Sequence, residues 1–380
     1  MKKIGIMTIH DSINYGACLQ AWGLYKFLCN EGYSCEIIDL HRPIHKDFIP
    51  STKFKPYRIT SSKKSITILF KEWINNNIKH LSMKKMNEEK EKIQKFKEFN
   101  SKMQHSKPYR GIDELYKNPP QYDIYITGSD QVWNPTQPFC IEPYFLTFVN
   151  NPNAIKISYA SSIGLNELRP NEIRDFSKWL NSYTAISVRE KEAQELLQPM
   201  TNTHIEVTAD PTFLLGPDYW RSIAKSPQIT SPYILVFRLS GMDIVNYGIK
   251  LGKESGKQVI IIPSGDNIDG GTTIRDLGLE EFLGYFMHAD MVLTDSFHAS
   301  VFSIIMGANN FFSYIHPNNK RGSRIINLLH TFDVSDHLLN PQLTQDYHYL
   351  SSKKIDKNKL YNICLEQMEK SRLFLRKNLR

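Results

Sequence analysis

The sequence predicts an α/β protein with two Rossmann-like domains that face a cleft, and three observations support this prediction. Apolar strand-like runs alternate with helix-like segments along the chain, which is the pattern of parallel sheets. The alternation occurs in two successive halves, separated by a loop-rich stretch at 216–232. At 380 residues the chain is also longer than one hydrophobic core usually serves.

The first half begins with one complete βαβ unit. The run IGIMTI is followed by a turn at Asn14 to Gly16, a helix that ends near Gly32, and the run CEIIDL. Parallel strands need such a crossover helix between them. Helices are expected from about Pro170 and over 191–199, and the further strands of this half are expected at 122–128, 154–161, 185–190 and 205–215.

The second half repeats the alternation with YILVFRL, KQVIIIP, MVLTD and NNFFSYI as its strands. A helix follows MVLTD from His298 onwards, and a short helix is expected near 279–286. The predicted domains are therefore 1–216, with a basic helical insertion at about 45–120, then 217–350, and a closing helix within 351–380.

Composition indicates an ordinary globular protein, with 41% hydrophobic and 23% charged residues. The five cysteines are scattered and odd in number, so neither a disulfide framework nor a zinc site of cysteines is expected. No segment approaches the roughly 18 unbroken apolar residues of a membrane-spanning helix. These features predict a cytoplasmic protein without a metal or cofactor.

The net charge of +8 is concentrated in one segment. Residues 63–117 carry 14 lysines and arginines against seven acidic residues, and apolar residues from Phe70 to Leu81 recur at helical spacing. Such a segment is typical of contact with anionic lipid headgroups or nucleic acid. The interpretation that the general burial of amphipathic faces favours is a solvated helical hairpin that packs its apolar face on the domain.

The run MVLTDSFHASVF places polar residues between an apolar strand and a helix. Asp295 or Ser296 can cap the helix, and His298 then lies in its first turn. A helix N-terminus favours an anion, and three cations follow downstream, which are Lys320, Arg321 and Arg324. The pattern predicts a phosphate or carboxylate site, with a merely hydrogen-bonded histidine as the alternative.

Arg189 and Glu190 end a predicted parallel strand of the first domain. The planar fork of Arg189 suits a carboxylate or a phosphate. The alternative is a strand-terminal salt bridge.

Two glycine-containing turns are weaker candidates for binding. The first turn offers Asn14, Tyr15 and Gly16, but a single glycine there does not indicate a dinucleotide site. The second turn, TGSDQVWN, offers polar and aromatic groups that suit a sugar; these are Ser129, Asp130, Gln131 and Trp133. A capped helix and a buried Trp133 are the structural alternatives.

Six motifs resemble the polysaccharide pyruvyl transferase family. They occur in the family's order over residues 4–330, and they are NYGACLQAW, YDIYITGSDQVWN, KISYASSIG, SVREKEA, VTADPTFLL and TDSFHASVFSIIMG. The resemblance implies the architecture of the two-domain (GT-B type) glycosyltransferases. It also implies transfer of the enolpyruvyl group of phosphoenolpyruvate onto two sugar hydroxyls, giving a pyruvate ketal and phosphate.

The resemblance assigns roles to the candidate residues. His298 would act as general acid or base, while Arg189 with Arg324 or Lys320 would hold the donor. Arg321 and Ser296 are further residues expected to bind the donor. Some family members have arginine where this chain has Ser296, so the rank of Lys320, Arg321 and Arg324 is left open. The acceptor is expected to be a saccharide, bound by the residues of the two glycine turns. No nucleic acid partner is expected.

The basic insertion suggests that this saccharide is lipid-linked at the inner face of a membrane. Two alternative functions are a nucleotide-sugar glycosyltransferase of the same architecture and a non-catalytic saccharide-binding subunit of a polysaccharide assembly complex.

Overall fold

A computed structural model describes residues 1–55, 57–58, 83–137, 142–262, 268–319 and 322–380. The apolar residues from Phe70 to Leu81, for which the sequence predicts helical spacing, lie outside these residues, as do Lys320 and Arg321. The described residues form two compact units. The first unit contains residues 1–90, 97–214 and 370–380, and the second contains residues 91–96 and 215–369.

The first unit is built on a parallel sheet of six described strands in the order β2-β1-β3-β4-β5-β6. Its strands are β1 (Lys3–Met7), β2 (Ser34–Ile37), β3 (Ile124–Thr127), β4 (Ile155–Ser161), β5 (Ala185–Val188) and β6 (Ile205–Val207). The helices that begin and end in this unit are α1 (Tyr15–Asn30), α3 (Ile112–Lys117), α4 (Pro170–Leu180) and α5 (Lys191–Leu197). Helix α2 (Met83–Asn100) has residues in both units.

The second unit is built on a parallel sheet of five described strands in the order β11-β10-β7-β8-β9. Its strands are β7 (Tyr233–Phe237), β8 (Gln258–Ile262), β9 (Thr272–Thr273), β10 (Met291–Thr294) and β11 (Phe311–Ser313). Its helices are α6 (Gly216–Ile223), α7 (Asp243–Ser255), α8 (Leu279–His288), α9 (Phe297–Ile305), α10 (Ser323–Thr331) and α11 (Tyr347–Ser352). Helix α12 (Lys357–Asn378) has residues in both units.

Burial of both sheet faces explains why the strands are almost entirely apolar. All residues of β3, β5, β7 and β10 are buried, as expected for parallel strands covered by helices on both sides. The predicted fold class is thereby confirmed, because each unit is a helix-covered parallel sheet of the Rossmann kind. The short edge strand β9 was not predicted, since two threonines carry no apolar pattern.

One predicted strand is wrong in its second half. The run at 205–215 is a strand only over Ile205–Val207, and Pro211–Leu215 forms a 3₁₀ helix. Pro211 has no backbone N–H to donate to a ladder, so the sheet ends before it although the sequence stays apolar. Within the described residues, no helix is long and apolar enough to cross a membrane.

Helix α8 approaches the backbone of the second unit closely at Gly284. A Cβ at this position would lie 1.8 Å from the carbonyl oxygen of Lys225. The contact is with backbone rather than a flexible side chain, so any larger residue forces the helix away. Glycine is therefore required at this position for packing, not for its dihedral freedom.

We expect Gly284→Ala to lower the free energy of unfolding by about 1–3 kcal/mol, because overpacking outweighs the gain in helix propensity. Asn362→Ala, on the exposed face of α12, is the control and should change it by less than about 0.5 kcal/mol. Urea denaturation followed by circular dichroism measures both. Equal stability of the two variants would contradict the tight contact.

Candidate active site

The second unit has a topological switch point between β7 and β10. From β7 the chain continues outward through β8 and β9, then returns to the other side of β7 to add β10 and β11. Parallel α/β sheets bind ligands beyond the carboxyl ends of their strands at such a point. The polar run after β10 therefore lies at the position where this sheet is expected to bind a ligand.

Asp295 connects the two strand ends at this switch point. Its carboxylate accepts hydrogen bonds from the backbone amides of Leu239 (2.6 Å) and Ser240 (2.8 Å), and from the Ser240 hydroxyl (3.2 Å). Leu239 and Ser240 follow β7, whereas Asp295 follows β10. Burial raises the pKa of Asp295, and these hydrogen bonds oppose that rise only in part.

His298 lies in the first turn of α9, directly beyond Asp295. Ser296 is the N-cap of this helix, and its hydroxyl accepts a hydrogen bond from the amide of Ala299 at 3.3 Å. The His298 side chain is half-buried, and its ring lies 5.3 Å from the ring of Phe297. The cap thus fixes the start of α9 directly after β10, with His298 in its first turn.

Arg324 is the cation that the described structure places near this histidine. It lies in the first turn of α10, and its guanidinium is 5.6 Å from the centre of the Phe297 ring. His298 and Arg324 therefore share Phe297 as a neighbour. A histidine, an arginine and a helix N-terminus are brought together within one unit, which is an arrangement suited to an anion.

The first unit has its own switch point between β1 and β3. Thr8 follows β1 and donates from its hydroxyl to the carbonyl of Ser129, which follows β3, at 3.3 Å. Helix α1 begins at the same end of the sheet, and its N-cap Asn14 accepts from the amide of Ala17 at 3.1 Å. Asn14 is exposed, whereas Tyr15 and Gly16 are buried in the helix.

The second glycine turn also ends at this switch point. Asp130 has a positive φ of 75° and accepts from the amide of Gln131 at 2.8 Å. The side-chain carbonyl of Gln131 accepts from Asn134 at 2.8 Å. Asp130 and Gln131 are half-buried, so these two polar side chains reach the surface of the turn.

The prediction that Trp133 stacks on a sugar is wrong. Its ring is fully buried and stacks on Phe145, with ring centres 5.2 Å apart. Its indole N–H donates to the carbonyl of Tyr144 at 3.0 Å, so the polar atom is used inside the core as well. The sequence offered both interpretations, and tertiary burial selects the structural one.

The surroundings of Arg189 match the structural alternative rather than an open donor site. Its guanidinium is buried and donates to Asp210 (2.7 Å) and Glu190 (3.3 Å), with the Ser129 hydroxyl at 3.5 Å. Burial opposes the positive charge, but Glu190 and Asp210 raise the pKa of Arg189 above its ordinary value. Two carboxylates already balance this cation, so its environment does not favour an added anion.

A statistical model of the polysaccharide pyruvyl transferase family matches residues 14–316. The chain belongs to this family. None of the curated protein sequences compared with the chain matches it.

The chain is similar in fold to UDP-N-acetylglucosamine 2-epimerase from Rickettsia bellii, with a TM-score of 0.53 at 10% identity over 99% of this chain and 95% of that one. It is also similar to UDP-GlcNAc 2-epimerase from Methanocaldococcus jannaschii, with a TM-score of 0.52 at 12% identity over 98% and 99%. At this identity the likeness concerns the fold alone, and it agrees with the GT-B type predicted for this family member.

The sequence analysis of this member of the pyruvyl transferase family missed a buried polar network. His10 follows β1, and its two ring nitrogens lie 3.1 Å from the carbonyl of Thr8 and 3.1 Å from the carboxylate of Asp39. The ring of His105 is a further neighbour at 5.5 Å.

The signal for this network was present in the sequence as polar residues directly after β1 and β2.

The charged partners in this region lower the pKa of two carboxyl groups. Burial raises the pKa of Asp39, but hydrogen bonding and charge from His10 lower it overall. The same holds for Asp11, where burial is outweighed by His45 and Arg42, which hold its pKa well below the ordinary range.

We expect Arg189→Met to lower the free energy of unfolding by about 3–5 kcal/mol, since it leaves Asp210 and Glu190 buried without their cation. Arg174→Met is the matched control, because Arg174 is exposed and pairs only at the surface with Asp175. The control should cost less than about 1 kcal/mol. Urea denaturation followed by tryptophan fluorescence tests this, and a harmless Arg189→Met would refute a structural role.

Proposed function

We propose that this chain transfers the enolpyruvyl group of phosphoenolpyruvate to two hydroxyls of a saccharide, forming a pyruvate ketal in surface polysaccharide biosynthesis. Membership of the polysaccharide pyruvyl transferase family supports this proposal. The observation that carries it is the position of His298 at the N-terminus of α9, beyond the switch point of the second unit. That is the place where a compact anionic donor would bind.

The donor and the proposed site match in charge. Phosphoenolpyruvate carries about three negative charges near neutral pH. The N-terminus of α9 and the guanidinium of Arg324 supply positive potential within one unit. Lys320 and Arg321, which lie outside the described residues, follow in the same sequence stretch and are further candidates for the phosphate.

The reaction needs proton transfer rather than a redox cofactor. A proton added to the enol CH₂ carbon makes C2 electrophilic, and one sugar hydroxyl attacks C2 while losing its proton. The C2–O bond to phosphate breaks, and phosphate leaves with the bonding pair. The second hydroxyl then closes the ring on C2 and loses its proton, so the two hydroxyl protons balance those gained by the CH₂ carbon and by phosphate. His298 can take the hydroxyl proton or give one to the departing phosphate, a contribution of about 10²- to 10⁴-fold in rate.

We assign acceptor binding to the exposed polar groups at the switch point of the first unit. Asn14, Asp130 and Gln131 are the candidates there, because their side chains are exposed or half-buried at the carboxyl ends of β1 and β3. Ser129, Tyr15, Gly16 and Trp133 are buried and support the turns instead. Amide and carboxylate groups are suited to the hydroxyls of a sugar.

Incubation with phosphoenolpyruvate and a panel of oligosaccharide acceptors, with phosphate release and product mass measured together, tests the reaction. We expect phosphate and a product heavier by one ketal-linked pyruvate. His298→Ala should lower the rate at least about a hundredfold, and Arg324→Ala should raise the KM for phosphoenolpyruvate about tenfold or more, from the loss of a charged contact.

The exposed His348 provides the matched control, and His348→Ala should leave the rate unchanged with the fold intact by circular dichroism. Release of a nucleoside diphosphate from a nucleotide sugar would instead identify a glycosyltransferase. Full activity of His298→Ala would contradict the role given to the imidazole. Turnover of neither donor by the unchanged chain would favour a binding subunit.

We further propose that the acceptor is lipid-linked and that the basic segment 63–117 contacts the anionic membrane surface. The support is its charge, with 14 basic against seven acidic residues. Lys97, Lys102 and Lys107 are among the exposed lysines in the described part of this segment. Each basic residue near anionic lipid contributes about 1 kcal/mol, and added salt screens the attraction.

Vesicle flotation tests this contact. We expect the chain to float with phosphatidylglycerol vesicles at low salt, and to remain at the bottom with neutral vesicles or at high salt. The triple change of Lys97, Lys102 and Lys107 to Glu should weaken flotation more than Lys191→Glu, an exposed lysine elsewhere. Absence of flotation at low salt would remove the membrane proposal and leave the reaction itself untouched.

A further inference from the structure

The loop that follows β2 brings two histidines and a carboxylate together. In the sequence HRPIHKD, the ligand atoms of His41, His45 and Asp47 all lie within 4.8 Å of one another. The rings of His41 and His45 stack with their centres 4.6 Å apart. We propose that these three side chains bind a divalent transition-metal ion of the zinc or cobalt type, in contrast to the absence of a metal expected from the sequence.

The spacing of the donor atoms fits one ion. Metal bonds of about 2.0–2.2 Å to nitrogen and oxygen, at tetrahedral or octahedral angles, place neighbouring donor atoms about 3–3.5 Å apart. His41 Nδ1 lies 3.1 Å from Asp47 Oδ1, within that range. His45 Nδ1 lies 4.0 Å from the same oxygen, and the three ligand atoms all lie within 4.8 Å of one another, so the side chains have to close by about 1 Å to share an ion.

The carboxylate of Asp11 contacts the other ring nitrogen of His45 and orients the ring. His45 Nε2 lies 2.7 Å from Asp11 Oδ2, which leaves Nδ1 of the same ring directed to Asp47. Asp11 is largely buried and is itself held by the guanidinium of Arg42. Metal-binding histidines usually donate their second ring N–H to a carboxylate in this way, which fixes the tautomer and strengthens the ligand.

The types of donor indicate which ions the site prefers. Imidazole nitrogen suits zinc, cobalt and nickel, whereas magnesium and calcium prefer oxygen ligands throughout. Arg110 Nε is 3.6 Å from Asp47, but this arginine is 64% exposed and can turn away into solvent. Three protein ligands leave a coordination position for water or a hydroxyl, as in catalytic rather than structural zinc sites.

The position of the loop is consistent with a ligand site. Asp11 follows β1 and the three ligands follow β2, so all four side chains come from the carboxyl end of the first unit's sheet. His41, His45 and Asp47 have side-chain exposures of 16%, 33% and 45%, which is enough for an ion to enter from solvent. The proposal does not depend on the pyruvyl transfer reaction.

Metal binding to the full chain tests the proposal directly. After treatment with a chelator, the protein is titrated with Zn²⁺ by calorimetry and with Co²⁺ by visible absorption. We expect one saturable site per chain. Asp11→Asn should weaken binding about 10- to 100-fold, as is usual for an outer carboxylate, and His41→Ala and His45→Ala should each weaken it more than that.

Two controls separate this site from others in the chain. His348→Ala removes an exposed histidine elsewhere, and the double variant Cys29→Ser/Cys35→Ser removes two thiols that could compete for the metal. Neither should change the affinity. Unchanged binding by both loop variants would overturn the proposal. So would a thiolate charge-transfer band in the cobalt spectrum that the cysteine variant abolishes, or the absence of saturable binding.

Circular dichroism shows whether each variant is folded. A His45→Ala chain that is folded but no longer binds the metal ion supports the assignment. Since no enzymatic activity is measured, failure of this proposal is distinguishable from failure of the proposed pyruvyl transfer.

Discussion

Asp295 is the residue on which the proposed donor site depends. Its carboxylate accepts hydrogen bonds from two backbone amides and a hydroxyl beyond β7, although it belongs to the chain segment beyond β10. These bonds join the two strand ends between which the sheet order reverses. These hydrogen bonds fix the position of Asp295 in either charge state of its carboxyl group. The backbone that follows is thereby held in place, which positions the Ser296 cap and His298.

The two units use their charged groups differently. In the second unit, His298 and Arg324 follow β10 and β11 and have the apolar ring of Phe297 as a common neighbour. In the first unit, Arg189 is balanced by Asp210 and Glu190, and Asp11 is balanced by Arg42 and His45. Buried charges are tolerated only when they are paired, so these residues stabilise the loops of the sheet rather than offering an open charge.

This difference agrees with the division of labour expected of a pyruvyl transfer enzyme. A small, highly charged donor requires a compact cationic site at a helix N-terminus, while a saccharide requires hydroxyl-binding amides and carboxylates along an open turn. The exposed Asn14 and the half-buried Asp130 are the groups that we propose for the second requirement. The histidine-rich loop after β2 adds a set of nitrogen and oxygen donors that neither substrate requires, which is why we interpret it as a site for an ion.

The sequence by itself determined the α/β alternation, most strand positions and the family, because apolar periodicity and local turn residues depend on neighbours a few positions apart. It also determined that Ser296 caps a helix carrying His298, since capping is a local interaction. Only the tertiary structure decided that Trp133 is core, that Arg189 is paired with Asp210, and that Asp11 stands behind His45. Those outcomes depend on burial and on contacts between residues some 20 to 34 positions apart, for which a single sequence carries no local signal.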